Sequence, residues 1–238
     1  MAIKGILFDK DGTLVDFNAT WSQIADRMAL EAAGGRRARA DELLALAGYD
    51  AAVKRFRADS VFAAGTNADV VALWYPDLSR QERQAKLEAF NRITAVEGAA
   101  MAVPISGIAE TVAALHRAGM RLGIATNDST AGAEQTLLAL GIAQMFDAVF
   151  GYDAVANPKP AADPVIAFGD LTGLKPAEIA VVGDNLHDLD MAKRAGAGMA
   201  IGVLSGTGTC ETLMPTADVI LNSIADLPGL VLNYAGQE

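Results

Sequence analysis

From Pro104 onward the chain alternates short apolar runs with segments of helical periodicity, and that alternation admits few folds. The runs at 121–126, 148–151, 179–183, 198–203 and 219–221 are too short for helices, and helical spacing fills 108–118, 132–140, 161–172 and 188–195 between them. Together with the N-terminal run Ile3-Lys4-Gly5-Ile6-Leu7-Phe8, the pattern predicts an α/β fold. Its core is a doubly wound, mostly parallel sheet of Rossmann-like type with helices on both faces. Ligands of such sheets bind beyond the carboxyl ends of the strands, where the strand order switches. Asp9, Thr126 and Asp184 each stand at the end of a predicted strand, so three distant segments are expected to meet at one rim.

Residues 15–98 interrupt this alternation with helical periodicity alone. The expected division is a catalytic core of 1–14 and 99–238, with a second, smaller all-helical domain over 15–98. Helices are predicted over 21–34, 41–47, 50–62 and 79–94, separated by turns at Gly65-Thr66-Asn67 and Tyr75-Pro76-Asp77. Ser79 with Glu82 three positions later forms a capping-box signature. Because the insert leaves and re-enters the core beside the rim, it is placed to act as a lid.

Bulk properties narrow the partners. A net charge of −10 argues against nucleic acid, whose backbone is bound by clustered Lys and Arg. The single cysteine, Cys210, precludes an intramolecular disulfide and fits a reducing compartment. Eighteen consecutive apolar residues occur nowhere, and residues 1–13 read as a motif-bearing strand, so a cytoplasmic location without membrane contact is expected. Nothing in the pattern reads out an oligomeric state.

Two acidic clusters carry the chemistry. Asp9-Lys10-Asp11-Gly12-Thr13 follows the first apolar run, and Gly183-Asp184-Asn185-Leu186-His187-Asp188 follows a later one. Two such pairs at one rim can bind a hard cation and attack a phosphoryl group. The loop from Gly202 to Thr209 lacks the Gly-Lys-Ser/Thr of a nucleotide-binding loop and reads as a glycine-permitted turn at the same rim.

These clusters, with Ile124-Ala125-Thr126-Asn127-Asp128 and Asn157-Pro158-Lys159-Pro160 between them, resemble the ordered motifs of haloacid dehalogenase superfamily phosphatases of the phosphoglycolate phosphatase-like type. The Asp-Lys-x-Gly-Thr string is also similar to that of P-type ion pumps, which need membrane spans this chain lacks. The resemblance implies a magnesium-dependent phosphatase acting on a small phosphorylated metabolite, with phosphoglycolate a natural candidate. A sugar-phosphate mutase on the same core is the second reading.

By the same resemblance, Asp9 is the nucleophile that becomes an aspartyl-phosphate. Asp11 protonates the leaving oxygen and then activates water. Leucine haloacid dehalogenases lack this second aspartate, so its presence favours phosphate chemistry. Gly12 permits close phosphate approach. The Thr126 hydroxyl and the Asn127 backbone N–H bind phosphoryl oxygens, and Lys159 neutralises Asp9 and the phosphoryl group. Asp9, the Asp11 carbonyl and Asp184 hold Mg²⁺, while Asp188 reaches its waters or Lys159. His187 is expected to line the pocket. About 33 residues separate Thr126 from Lys159, too few for a large cap, which leaves the 15–98 insert as a small helical one. A carboxylate-bearing substrate would need a further cation, for which Arg36, Arg37, Lys54, Arg55 and Arg57 are candidates.

Overall fold

The computed structural model describes residues 2–234, so residue 1 and residues 235–238 of the expected core lie outside the described residues. In chain order the strands are β1 (Gly5–Phe8), β2 (Tyr49–Asp50), β3 (Arg55–Phe56), β4 (Arg121–Ala125), β5 (Ala148–Phe150), β6 (Ile179–Gly183), β7 (Met199–Val203) and β8 (Val219–Leu221). The helices are α1 (Phe17–Ala32), α2 (Arg37–Leu46), α3 (Val61–Ala64), α4 (Asn67–Trp74), α5 (Arg80–Ala100), α6 (Ile108–Arg117), α7 (Thr130–Ala139), α8 (Asp163–Thr172), α9 (Leu186–Ala195), α10 (Cys210–Leu213) and α11 (Leu227–Tyr234).

Six strands form one sheet in the order β5-β4-β1-β6-β7-β8, with every pairing parallel. The chain winds outward from β1 to β4 and β5 on one side and through β6, β7 and β8 on the other, so the order reverses at β1. Side chains of the inner strands β1, β4, β6 and β7 are mostly buried on both faces, alternating as the strand period requires, while the edge strands β5 and β8 are half-buried. Ile6, Phe8, Ala180, Val182, Ile201 and Val203 pack into one core, and Leu7, Ile179, Val181 and Ala200 into the other. Phe168 of α8 presses against the sheet where glycine leaves room, since a Cβ on Gly123 would stand 2.7 Å from its ring. The Rossmann-like α/β class read from the alternation is the class observed.

A third apolar cluster belongs to the insert. Trp21, Ile24 and Met28 of α1 meet Leu43 of α2, Trp74 of α4 and Phe90 of α5. Two expectations for this cap need correction. The helix expected over 50–62 is instead the antiparallel β2–β3 pair followed by the short α3, so the cap is mostly rather than wholly helical. Asp50 Oδ1 accepts from the N–H groups of Ala52 and Val53 at 2.9 and 3.4 Å, a local bond that competes with helix formation. Lys54 and Asp59 adopt φ of 55° and 53°, which no helix tolerates.

The second correction lies at Gly65-Thr66-Asn67, where the expected turn opens directly into α4. Thr66 caps it, with its hydroxyl and N–H both reaching Asp69 Oδ2, at 2.7 and 2.8 Å. The Ser79–Glu82 capping box starts α5 as the sequence predicts, with Ser79 N–H donating to Glu82 Oε2 at 2.9 Å. That helix runs past residue 94 to Ala100, where Gly98 leaves space for the Trp21 ring. Among the described residues no helix is long and apolar enough to cross a membrane.

Candidate active site

Strand pairing carries the site residues to one edge. Phe8 stands beside Ile124 on one side and Val182 on the other, so the residues that follow these strands emerge together. The ladder continues one step further: Asp9 N–H donates to the Val182 carbonyl at 2.8 Å, and Thr126 N–H to the Phe150 carbonyl at 2.9 Å. Asp9, Thr126 and Asp184 are thus aimed by the sheet rather than by free loops.

Lys159 arrives from the connection between β5 and α8. Its Nζ lies 2.6 Å from Asp9 Oδ1 and 2.7 Å from Asp188 Oδ1, and all three side chains are buried. Asp188 sits in the first turn of α9, where its Oδ2 also accepts from Asn185 N–H at 3.0 Å. Burial by itself would lower the Lys159 value, but Asp188 and Asp9 overcome it and hold the ammonium above its ordinary value.

The carboxylates of Asp9, Asp184 and Asp188 offer oxygens that all lie within 4.8 Å of one another. Asp184 Oδ2 accepts from Thr207 N–H at 2.7 Å and from Asn185 Nδ2 at 3.1 Å, while its buried Oδ1 has no hydrogen-bond partner. Burial, reinforced by Asp188, pushes the Asp184 carboxyl up to about 7. Burial also pushes Asp9 well above the usual range, against the pull of Lys159 and with help from Asp188, Asp184 and Asp11.

Three crowded carboxylates with an orphaned buried oxygen fit a hard divalent cation, which would neutralise the repulsion and satisfy the oxygen. The approach is kept narrow by glycine. At Gly12, φ is 91° and a Cβ would stand 2.6 Å from the Asp184 carboxyl; at Gly206 the clearance would be 2.0 Å.

Asp11 is turned away from this cluster. Its Oδ1 accepts from Trp21 Nε1 at 2.6 Å, and its Oδ2 lies 2.6 Å from Lys10 Nζ, which is also 3.2 Å from Asp128 Oδ2. The Thr126 hydroxyl accepts from Asp128 N–H at 3.1 Å. Asn127 ties the core to the cap, its Nδ2 donating to the carbonyls of Ala64 at 2.7 Å and Lys159 at 3.2 Å. His187 Nδ1 lies 3.1 Å from the same Ala64 carbonyl, so that nitrogen carries the proton.

A cavity opens over the rim, bounded by Asp9, Asp11, Thr126, Asn127, Lys159, His187 and Asp188 below and by residues of α1, α3, α4 and α5 above. The five basic cap residues that stood as candidates for a substrate carboxylate are absent from its walls. Arg37 instead pairs with Asp26 and Asp41 at 2.8 and 2.6 Å, and Lys54, Arg55 and Arg57 are exposed.

Several contributors escaped sequence reasoning. Lys10 lies inside the first motif, yet lysines are rarely buried and nothing local marks it. Trp21 carries no signal beyond helical spacing. Thr207 and Ser205 lie in the glycine-rich turn assigned to the rim, and Ser205 Oγ donates to the Gly12 carbonyl at 2.8 Å.

The family model for haloacid dehalogenase-like hydrolases matches residues 3–196, and the chain belongs to that family. Phosphoglycolate phosphatase of Escherichia coli strain K12 is 32% identical over 243 residues, covering 98% of this chain and 94% of that protein. The Salmonella typhimurium protein of the same name is 31% identical, covering 99% and 96%. Within its family this chain is therefore an enzyme of the phosphoglycolate phosphatase-like, phosphoric monoester hydrolase type. The crystal structure of a predicted phosphoglycolate phosphatase from Haemophilus somnus shares the fold, with a TM-score of 0.72 at 23% identity over 96% of this chain and 97% of that one. CbbY from Rhodobacter sphaeroides, solved in complex with phosphate, gives 0.64 at 25% identity over 94% and 96%.

Proposed function

We propose that this enzyme hydrolyses the phosphate monoester of a small metabolite through an aspartyl-phosphate on Asp9, in a core of 1–14 and 99–238 covered by a cap of 15–98. The observation that carries the reading is the contact of Lys159 with both Asp9 and Asp188 beside the Asp184 carboxylate. Mg²⁺, held by Asp9, the Asp11 carbonyl and Asp184 with Asp188 nearby, would supply the positive charge that lets an anionic nucleophile approach an anionic phosphoryl group.

With Asp9 Oδ1 engaged by Lys159, the second carboxylate oxygen is left to attack phosphorus. The new O–P bond forms as the ester O–P bond breaks, and the leaving oxygen takes a proton from Asp11. Water then attacks phosphorus, Asp11 recovers a proton from it, and the Asp9–phosphorus bond breaks to release phosphate. For this Asp11 turns from Lys10 and Trp21 toward the cavity it borders. The Thr126 hydroxyl, the Asn127 N–H and the Lys159 ammonium hold the phosphoryl oxygens, with Gly12 leaving room for them.

Phosphoglycolate, named for the relatives, is the reference substrate. The net charge of −10 and single cysteine support a cytoplasmic enzyme without a nucleic-acid partner. A mutant CbbY at 25% identity was solved with xylulose-(1,5)bisphosphate, so sugar phosphates belong in the same screen. Phosphate release from a monoester panel with Mg²⁺ tests the proposal. Asp9→Asn and chelation of divalent metal are each expected to abolish release. Full turnover in either case overturns it, and isomerisation of a hexose phosphate without phosphate release selects the mutase reading.

A further inference from the structure

The cavity is walled on the cap side by the rings of Phe17, Trp21 and Phe62, with Asn67 and Thr94 as polar neighbours. On the core side it carries the aspartates 9, 11, 128 and 188 against one lysine, Lys159, which is already committed to Asp9 and Asp188. Lys10, close behind, is shared between Asp11 and Asp128. Once a divalent cation and Lys159 have offset the phosphoryl group, no lysine or arginine among the described residues lining the cavity remains for a second anion on the substrate, and the Nδ1 of His187, the basic side chain left in the wall, is engaged by the Ala64 carbonyl.

The N-terminus of α4 also borders the cavity at Thr66 and Asn67, and such an end attracts anions. Here the chain fills that role itself. Asp69 Oδ2 accepts the N–H and the hydroxyl of Thr66 at 2.8 and 2.7 Å, so this helix end already carries a carboxylate of its own.

Asn67 is oriented by a chain of hydrogen bonds. Asn91 Nδ2 donates to Tyr152 Oη at 2.7 Å, which leaves Asn91 Oδ1 to accept from Asn67 Nδ2 at 2.9 Å. Thr94 donates its hydroxyl to the Asn91 carbonyl, so its oxygen also accepts from Asn67 Nδ2 at 2.9 Å. With both amide hydrogens engaged, the polar atom that Asn67 has to offer is Oδ1, an acceptor without a partner among the described residues. An acceptor repels a carboxylate and receives a hydroxyl.

We propose that Asn67 selects a neutral, hydroxyl-bearing leaving group, and that this cavity discriminates against monoesters carrying a second anion, phosphoglycolate included. The inference rests on the phosphatase reading and deepens it by naming the substrate class. Carbon-bound hydrogens of such a group would lie against the aromatic wall, and a hydroxyl would donate to Asn67 Oδ1.

The test compares kcat/KM with Mg²⁺ for glycerol 3-phosphate, phosphoglycolate and p-nitrophenyl phosphate in the wild-type enzyme and in Asn67→Lys. Wild type is expected to favour glycerol 3-phosphate over phosphoglycolate by at least about tenfold, the scale of one good polar contact made or one charge left unpaired. Asn67→Lys is expected to shift that ratio toward phosphoglycolate by a similar factor. Preference for phosphoglycolate in the wild type overturns the assignment, as does a ratio unmoved in a folded Asn67→Lys protein. The wild-type comparison decides the matter if the variant fails to fold. If none of the three monoesters is hydrolysed, the phosphatase reading falls and this inference with it, whereas hydrolysis with phosphoglycolate preferred removes the specificity claim alone.

Discussion

Between the two aspartates of the first motif sits a lysine with 1% of its surface exposed, enclosed by Asp11, Asp128 and the Trp21 ring, whose centroid is 5.2 Å from its Nζ. Burial would lower its value, yet Asp11 and Asp128 hold it raised, so it stays charged. Lys10→Met would strand two carboxylates, and removal of one partner from a buried ion cluster costs about 3–5 kcal/mol. A loss of that size in the free energy of urea unfolding, read as a lower midpoint, is expected, and an unchanged midpoint would show the cluster to be better solvated than its contacts imply. Asp11→Asn should suppress hydrolysis of alkyl phosphates severely and of p-nitrophenyl phosphate much less, because only the poor leaving group needs a proton. Equal losses would remove Asp11 from the role of acid. At this scale the resemblance paired Lys159 with Asp9 in advance but gave no partner for Lys10 or for the Asp11 carboxylate. Asp9 and Lys159 are 150 residues apart, and only folding makes them neighbours.

At the scale of elements, legibility followed whether the deciding forces were local. The α5 start was readable because Ser79 and Glu82 satisfy each other's backbone within four residues. The β2–β3 pair was hidden because the 50–62 segment has alternatives whose balance is struck by contacts outside it. One such contact is Phe56 N–H donating to Asn18 Oδ1 of α1 at 3.1 Å. Likewise Asp59 exchanges bonds with the distant N-terminal end of α9, its N–H donating to Asn185 Oδ1 at 3.1 Å and its Oδ1 accepting from Leu186 N–H at 3.2 Å. The strands under α8 were readable as apolar runs, though not the ring that joins them. Phe168 is fully buried against Gly5 and Gly123, which have no side chains of their own to fill its place. Phe168→Ala is expected to lose about 3–5 kcal/mol in denaturant unfolding. A loss under about 1 kcal/mol would mean that the layers collapse around the gap.

For the whole molecule, the crowded carboxylates tie stability to pH and to metal. A carboxyl ionises near 3.9 in an unfolded chain, whereas Asp184 is held at about 7 and Asp9 is also raised. Their ionisation therefore opposes folding progressively as pH climbs from about 4 toward 7, with the penalty fully present above the folded values. A cation that binds only the folded, ionised cluster should relieve it. Mg²⁺ is expected to raise Tm more at pH 8 than at pH 5.5, where protons compete for the same oxygens. Equal or reversed increments would show that these acids do not bind the ion. The parallel sheet and the helical character of most of the cap followed from the sequence by itself, because apolar spacing and backbone capping act over a few residues, whereas the strand order around β1 came only from long-range pairing. The pairing of Lys10 with Asp128, the parking of Asp11 on Trp21, the orientation of Asn67 and the absence of cap arginines from the cavity wall were decided only by tertiary structure. Each depends on which side chains from separate segments share one small, water-poor volume, and no local pattern records that.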